Sequence, residues 1–276
     1  MSARKSDVLR VLLWISLAIL FNAGVLYFKG HQKALEFFTG YLIEYSLSVD
    51  NLFVFIMIFS YFGVTEKQQH RALNWGIMGA IVFRMIFVIF GVALIHLFHQ
   101  IIYAFGLLLL WSAYKMAFAK EKGVDPDKVP LVRLFRKIMP VTKGYVEDRF
   151  FLKTEAGLKA TPLLIVVLVI ESADIMFAID SIPAILAITQ DPFIVITSNI
   201  FAILGLRSLY FVLAGVMNMF RFLKQGVAVI LAFVGIKMLL MDILKFPTSL
   251  SLLVIVGILA LSILASRIVK SQPKTE

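Results

Sequence analysis

Long apolar runs dominate the pattern of hydrophobic and polar positions along the chain. A helix needs about 20 apolar residues to cross a bilayer core. Measured against that length, the sequence predicts eight spanning helices, near residues 8–28, 35–62, 75–97, 101–119, 162–189, 193–217, 226–242 and 248–267. The predicted fold is an all-α, polytopic transmembrane helical bundle that forms a single integral membrane domain over residues 1–276.

The second and fifth spans carry the same polar motif. It reads Ser48-Val-Asp50-Asn-Leu-Phe in one span and Ser172-Ala-Asp174-Ile-Met-Phe in the other. An ionised carboxylate in a low-dielectric interior costs several kcal/mol, so two matched aspartates at this depth indicate a functional site.

The similarity between the two motifs continues into the spans that follow. Arg84 corresponds to Arg207, and Lys115 to Lys237, at a nearly constant separation along the chain. The sequence therefore predicts two three-helix repeats, residues 35–119 and 162–242. Because each copy has three spans, the second copy enters the membrane from the opposite face, as in the inverted repeats of secondary transporters.

Basic residues are distributed very unequally between the predicted loops. Twenty Lys and Arg residues fall on one side of the membrane, ten of them between residues 120 and 159. The other side has only Lys29, Lys33 and Lys245. The positive-inside rule predicts cytoplasmic N- and C-termini and a solvated cytoplasmic loop at 120–161. The net charge of +10 then reflects topology and does not indicate nucleic-acid binding.

Composition limits the chemistry of any metal site. Hydrophobic residues make up 61% of the chain, against roughly 45–50% in soluble domains. Cysteine is absent, which excludes disulfides and thiolate ligands. A metal ion must therefore be held by oxygen or imidazole, and oxygen ligands suit Mn²⁺, Mg²⁺ or Ca²⁺.

Polar residues of the second and fifth spans share helix faces. Glu44, Ser48 and Asn51 fall on one side of the second span, and Glu171 and Asp174 on one side of the fifth. These two faces are the predicted walls of the site.

Two further carboxylates lie off those faces in a regular helix. Either the helices are unwound near Asp50 and Asp180, or these residues serve different partners. Pro183 favours unwinding, because it cannot donate a hydrogen bond to the carbonyl of Ile179.

The two motifs together resemble the signature of the TerC family, which includes the Alx proteins, over roughly residues 36–242. The resemblance rests on the segments Glu44-x-x-x-Ser48-Val-Asp50-Asn51-Leu-Phe-Val-Phe and Glu171-Ser172-Ala-Asp174-Ile-Met-Phe-Ala-Ile-Asp180-Ser181-Ile-Pro183-Ala. Membership implies an inner-membrane protein of divalent-metal homeostasis, chiefly manganese export, with a historical link to tellurite resistance. It also implies kinship with the LysE-type exporters, which share a three-plus-three organisation.

Residues and resemblance together predict a divalent-cation exporter, with manganese as the first candidate, that works by alternating access. Its partners are the lipid bilayer, the divalent metal ion and a proton as counter-ion, with no bound cofactor and no nucleic acid. The predicted ligands are Asp50, Asp174 and Asp180, with Glu44, Glu171 and Asn51 in support, Ser48, Ser172, Ser181 and Asn199 as neutral polar groups, and Arg84 and Arg207 as counter-charges.

Alternative readings remain at this stage. Asp50 and Asp174 could form structural ion pairs with the two arginines, as in a non-transporting membrane-biogenesis or stress-response scaffold. Asp180 and Glu171 could carry protons in place of metal. A calcium transporter, an organic-solute exporter and an intramembrane protease with an Asp50–Asp174 dyad are the other candidates.

Overall fold

The computed structural model describes residues 5–98, 100–118, 129–154, 157–214, 222–244 and 246–268; within these ranges the side chains of Asp50, Phe53, His96 and Arg267 lie outside the description. The described elements are α1 (Lys5–Lys29), α2 (His31–Phe62), α3 (Glu66–Leu97), α4 (Ile101–Phe118), α5 (Pro130–Ile138), β1 (Phe151–Thr154), β2 (Gly157–Ala160), α6 (Pro162–Leu186), α7 (Pro192–Leu204), α8 (Leu206–Ala214), α9 (Leu223–Leu239) and α10 (Thr248–Ile268).

Seven segments of the described chain are helical, long and apolar enough to cross a membrane, which confirms the all-α polytopic class. The segment near 193–217 is divided at Gly205 into α7 and α8. The seventh expected span corresponds to α9, whose 17 residues lie at the short end of the range for a spanning helix. The count of eight spans therefore stays a prediction.

Local sequence explains where the helices begin and end. Gly63 closes α2 in the left-handed conformation, with a φ of 61°, which glycine adopts without steric cost. Thr65 and Gln68 form a capping box at the start of α3. The carboxylate of Asp191 accepts a hydrogen bond from the Phe193 amide at the start of α7, and Pro192 takes the first helical position.

The helices that carry the repeated motif lie inside the bundle. Within the most apolar stretch of each helix, 69% of the residues of α2 and 50% of those of α6 are buried, against 17% for α1 and 22% for α10. Outer helices present apolar side chains to lipid, whereas inner helices can keep polar groups away from it. The structure thus places the polar motifs at the protein interior.

The interhelical contacts follow an exchange pattern. α3 packs on α6, and α7 packs on α2; α2 contacts α6, and α4 contacts α9. In the predicted repeats, α2 corresponds to α6, α3 to α7 and α4 to α9. Exchanging the two repeats turns the α3–α6 contact into the α7–α2 contact and leaves the α2–α6 and α4–α9 contacts unchanged, as a two-fold axis between the repeats requires. The inverted repeat stays a prediction, which these contacts support.

The expected unwinding at Pro183 is wrong. α6 is a continuous helix that contains Pro183 within its last turn. A proline this close to the C-terminal end removes one amide donor but leaves the preceding turns intact. Asp174 and Asp180 therefore point to different sides of one regular helix.

The segment expected to be a solvated loop is partly folded. Within residues 129–160, the amphipathic helix α5 is followed by the antiparallel hairpin β1–β2, in which Phe151 pairs with Ala160. Val132 of α5 and Ala160 of β2 are fully buried. The described part of residues 129–160 thus has more secondary structure than a plain loop, and its cytoplasmic location stays a prediction; residues 119–128 and 155–156 lie outside the described residues.

Candidate functional site

The polar face of α2 is buried. Glu44 and Ser48 have no exposed surface, and Asn51 is 3% exposed. The Ser48 hydroxyl lies 3.4 Å from Oε1 of Glu44, one helical turn away. The described part of this face matches the sequence prediction, whereas the side chain of Asp50 lies outside the described residues.

The polar face of α6 is buried as well, and it extends over three turns. Glu171, Asp174 and Ser181 are all less than a tenth exposed. Ser172 does not share this face: it is partly exposed, and its hydroxyl donates to the Leu168 carbonyl of the same helix at 2.7 Å. Ser172 therefore makes a local contact of a kind common in apolar helices.

Arg84 of α3 lies between the two polar faces and joins them. Its Nε and Nη2 atoms donate to the two carboxylate oxygens of Asp174 at 3.2 and 3.1 Å. Its Nη1 atom pairs with Glu44 and lies 3.4 Å from the Ser181 hydroxyl. Only 1% of the arginine is exposed, so one guanidinium group connects α2, α3 and α6 in a dry environment.

Carboxyl groups outnumber guanidinium groups at this place. Arg84 contacts Glu44 and Asp174, and Glu171 lies one turn from Asp174, close enough to interact electrostatically with it. Among the described residues, Oε2 of Glu44 and Oε2 of Glu171 have no hydrogen-bond partner. Because an uncompensated buried charge is costly, the cluster requires further positive charge from a proton or a cation.

Small residues of α3 make room for Glu171. A Cβ atom placed on Gly79 would collide with the Glu171 carboxylate, and one on Gly76 would approach Ile170 to 3.1 Å. Sequence analysis missed Gly79. The available signal was a pair of glycines three residues apart within an apolar span, which allows close helix approach on one face.

Asp180 belongs to a different cluster. Its Oδ1 atom accepts a 2.6 Å hydrogen bond from Ser112 of α4, and the positive charge of Lys115, also on α4, acts on it. Sequence analysis did not connect these residues, because α4 and α6 are far apart in the chain. The structure therefore separates Asp180 from the Arg84 cluster.

Arg207 makes different contacts from Arg84. Its Nη1 atom donates to Oδ1 of Asn74 at 2.6 Å, and its Nη2 atom lies 3.2 Å from Nδ1 of His70. Arg207 is partly exposed, and its described partners are neutral or titratable groups. The repeat-related arginines thus occupy unlike environments.

Asn199 of α7 completes the surroundings of Arg84. It is 2% exposed, its Nδ2 atom has no hydrogen-bond partner within the described part of the chain, and it lies beside Arg84. A void of about 10 Å³, about the smallest volume that can hold a single water molecule, borders Asp174.

Among the described residues, no three His, Asp or Glu side chains converge as a preformed metal site. Arg84 lies between Glu44 and Asp174 and pairs with both carboxylates.

Comparison with known proteins gives a consistent family assignment. Residues 29–274 match the family described as "Integral membrane protein TerC family". The "Putative membrane-bound redox modulator Alx" of Escherichia coli (strain K12) is 48% identical over 259 residues, which cover 91% of this chain and 81% of that relative. The "Thylakoid membrane protein TERC, chloroplastic" of Arabidopsis thaliana is 44% identical over 94% of this chain and 67% of that relative.

No solved structure matches the chain. The family match covers most of the chain, and it includes both buried polar motifs and Arg84. The chain belongs to the TerC family of integral membrane proteins.

Proposed function

We propose that the protein exports a divalent metal cation, with Mn²⁺ as the first candidate, by alternating access through the cluster around Arg84. One observation carries the proposal: carboxyl groups from both predicted repeats converge on a single buried cation, Arg84, and two carboxylate oxygens have no partner among the residues that the structure describes. A site that already binds one cation, and needs additional positive charge, has the electrostatics of a cation site.

The donor set is suited to a hard divalent ion. Glu44, Asp174 and Glu171 offer carboxylate oxygens, and Ser48 and Ser181 offer hydroxyl oxygens on the same two faces. Such a set favours Mn²⁺, Mg²⁺ or Ca²⁺ over Cu⁺ or Zn²⁺. Asp50 stays a predicted ligand.

Arg84 acts in this proposal as a tethered competitor for the substrate ion. When the transported cation binds between Glu44 and Asp174, the guanidinium withdraws from the two carboxylates. When the ion leaves, Arg84 returns and neutralises the carboxylates. The arginine thereby avoids a state in which buried carboxylates lack a cation, and it assists release.

Asp180 is assigned the counter-ion role. It faces Ser112 and Lys115 on α4 and has no described contact with the Arg84 cluster. A half-buried carboxyl group outside the cation cluster can bind and release a proton without displacing the metal. We assign proton transfer to Asp180 and metal binding to the residues around Arg84.

The proposed setting is the inner membrane, with both termini cytoplasmic. The curated Alx relatives are named as redox modulators. Because this chain contains no cysteine, it has no thiol group that could perform redox chemistry. A redox role of the present chain would have to act through the transported ion or through a partner.

The test is flux measured in proteoliposomes with Mn²⁺, Ca²⁺ and Mg²⁺ as competing ions at two pH values. The variant Asp174→Asn keeps the shape of the side chain and removes its charge. We expect the Mn²⁺ flux of this variant to be at least tenfold lower than that of wild type, and a tenfold change in rate is equivalent to about 1.4 kcal/mol. The matched control is Asp148→Asn, which removes a partly exposed carboxylate outside the spanning helices. Equal Mn²⁺ flux in wild type and Asp174→Asn would remove the ligand role.

A structural scaffold is the second candidate, favoured by the way Arg84 ties three helices together. The two proposals differ in what Asp174→Asn does to folding. A scaffold should lose abundance and thermal stability, and wild-type protein should show no metal flux. An exporter should show wild-type flux, which the folded variant loses. An Asp50–Asp174 protease dyad is disfavoured, because both oxygens of Asp174 accept hydrogen bonds from Arg84.

A further inference from the structure

One end of the bundle, where α2 ends and α6 begins, carries a folded unit that the transport proposal does not use. We call it the cap; it comprises the described residues between 129 and 160. The cap is attached firmly. Tyr145 donates to the Phe62 carbonyl at 2.8 Å, Gln68 donates to the Glu147 carbonyl at 2.6 Å, and Arg71 donates to Asp148 at 3.0 Å.

The helix α5 of the cap has an apolar side that the protein covers only in part. Val132 is fully buried, and Phe135 packs against the core of the bundle. On the adjacent part of the same side, Leu131, Leu134 and Ile138 are 36%, 57% and 74% exposed. Three large aliphatic side chains on a nine-residue helix are costly to keep in water.

The remaining side of α5 is basic. Arg133, Arg136 and Lys137 follow one another around the helix, and α5 contains no acidic residue. An exposed apolar stripe beside a basic face is the pattern of a helix that lies in the plane of a membrane interface. The charge is complementary to anionic phospholipid.

A cleft of about 480 Å³ lies between the cap and the ends of α2 and α6. Phe62, Pro162 and Ile165 give it apolar walls, and Arg136 and Lys143 contribute positive charge. A basic pocket with apolar walls at the end of transmembrane helices suits a phosphate headgroup and the first part of its acyl chains. α5 contributes to both features, with Leu131, Leu134 and Ile138 in the exposed stripe and Arg136 of its basic side in the cleft.

We infer that the cap is a binding site for anionic phospholipid: α5 lies in the interface plane, and a lipid phosphate occupies the cleft between Arg136 and Lys143. The inference does not depend on the transport proposal. Because α5 packs on α6 and the cap is bonded to α2 and α3, bound lipid would stabilise the positions of the helices that carry Asp174, Glu44 and Arg84.

The first experiment measures the depth of α5. The chain lacks cysteine, so Leu134→Cys can be labelled at a single position with an environment-sensitive fluorophore. In vesicles of phosphatidylcholine and phosphatidylglycerol, the label should be protected from the neutral aqueous quencher acrylamide and quenched by nitroxide lipids. Lys153→Cys is the matched reporter, since Lys153 is exposed on β1 and does not line the cleft. Equal acrylamide access at both positions would overturn the in-plane helix.

The second experiment counts bound lipid by native mass spectrometry of the purified protein. Phosphatidylglycerol should remain bound in preference to phosphatidylcholine. The affinity of the double variant Arg136→Gln/Lys143→Gln for phosphatidylglycerol should be lower than that of wild type by roughly tenfold or more. Lys153→Gln/Lys159→Gln removes the same charge away from the cleft and should retain binding.

Two results would overturn the headgroup site: no preference for phosphatidylglycerol in wild type, or equal losses in the two double variants. The charge-preserving variant Arg136→Lys/Lys143→Arg should keep binding, and its failure to do so while remaining monodisperse would count against a phosphate site. Displacement of the lipid by inorganic phosphate alone would show that the cleft takes a free anion and would also overturn the proposal.

Discussion

Arg84 and Arg207 occupy corresponding positions of the predicted repeat, yet their surroundings differ. Arg84 is 1% exposed and contacts two carboxylates, Glu44 and Asp174. Arg207 is partly exposed and contacts the amide of Asn74 and the imidazole of His70. A duplicated sequence motif therefore does not imply a duplicated site: the described charge cluster is built around one arginine of the pair.

The largest expected effect distinguishes the two arginines directly. Arg84→Ala leaves Glu44 and Asp174 buried without a cation, and it should lower the free energy of unfolding by about 3–5 kcal/mol. Arg207→Ala loses hydrogen bonds to neutral groups and should cost about 1–2 kcal/mol. Thermal and denaturant unfolding in detergent micelles measures both values. Arg84→Lys, which keeps the charge without the bidentate geometry, should fall between them. Equal losses at the two arginines would contradict the comparison.

A smaller effect tests the close contact between Glu171 and α3, the helix that carries Arg84. Gly79→Ala places a Cβ atom against the Glu171 carboxylate and should destabilise the protein by about 1–3 kcal/mol. Gly24→Ala in the outer helix α1, where nothing lies within 4 Å, should be neutral or stabilising by about 1 kcal/mol. Glu171→Ala should relieve the cost of Gly79→Ala, which a double-mutant cycle measures. Additive effects would separate the two residues.

The next effect concerns the separate environment of Asp180. Ser112→Ala removes the 2.6 Å hydrogen bond to its carboxylate and should lower the free energy of unfolding by about 1 kcal/mol. Ser172→Ala removes only a bond to the carbonyl of its own helix and should change little. The readout is unfolding in micelles. A loss at Ser172 as large as that at Ser112 would argue against a specific Ser112–Asp180 contact.

The smallest effect is expected at a surface counterpart of the Arg84 pair. The hydrogen bond from Arg71 lowers the pKa of Asp148 below its ordinary value of 3.8. Because the folded pKa is depressed, the stabilisation is complete above the unfolded value and is lost as pH falls through the folded one. As pH falls from about 5 to about 3, the range in which carboxyl groups become protonated, the melting temperature of wild type should therefore drop slightly more than that of Asp148→Asn. Parallel pH profiles would show that the pair contributes nothing.

Sequence patterns predicted much of the fold because the bilayer restricts the structures that an apolar segment can form. Apolar runs of bilayer length become helices, since each backbone amide in lipid must be satisfied within its own segment. α1, α2, α4, α6 and α10 lie close to their predicted ranges. α3 begins at Glu66, before the predicted 75, because the capping box at Thr65 and Gln68 starts the helix outside the apolar run.

The buried polar faces were predictable, whereas the metal site that they are proposed to form stays a prediction. The face shared by Glu44 and Ser48, and the face shared by Glu171 and Asp174, are buried as helical periodicity indicates. The contacts of Asp180 and Arg207 were not predictable, because they depend on α4 and α3 reaching these residues from distant parts of the chain. The folded structure of the cap was missed for a related reason. Its charges indicated a solvated loop, and the packing of α5 on the bundle determines which of its apolar side chains are covered.

By itself, the sequence determined the all-α membrane class, the polar faces of the motif helices and the absence of thiol ligands. These properties follow from composition and from the 3.6-residue period, which are local. Only the tertiary structure decided that Arg84 lies between Glu44 and Asp174, that Asp180 faces α4, and that the two arginines differ. Those outcomes depend on how helices approach one another, and small residues such as Gly79, together with long-range pairing of buried charges, determine that approach.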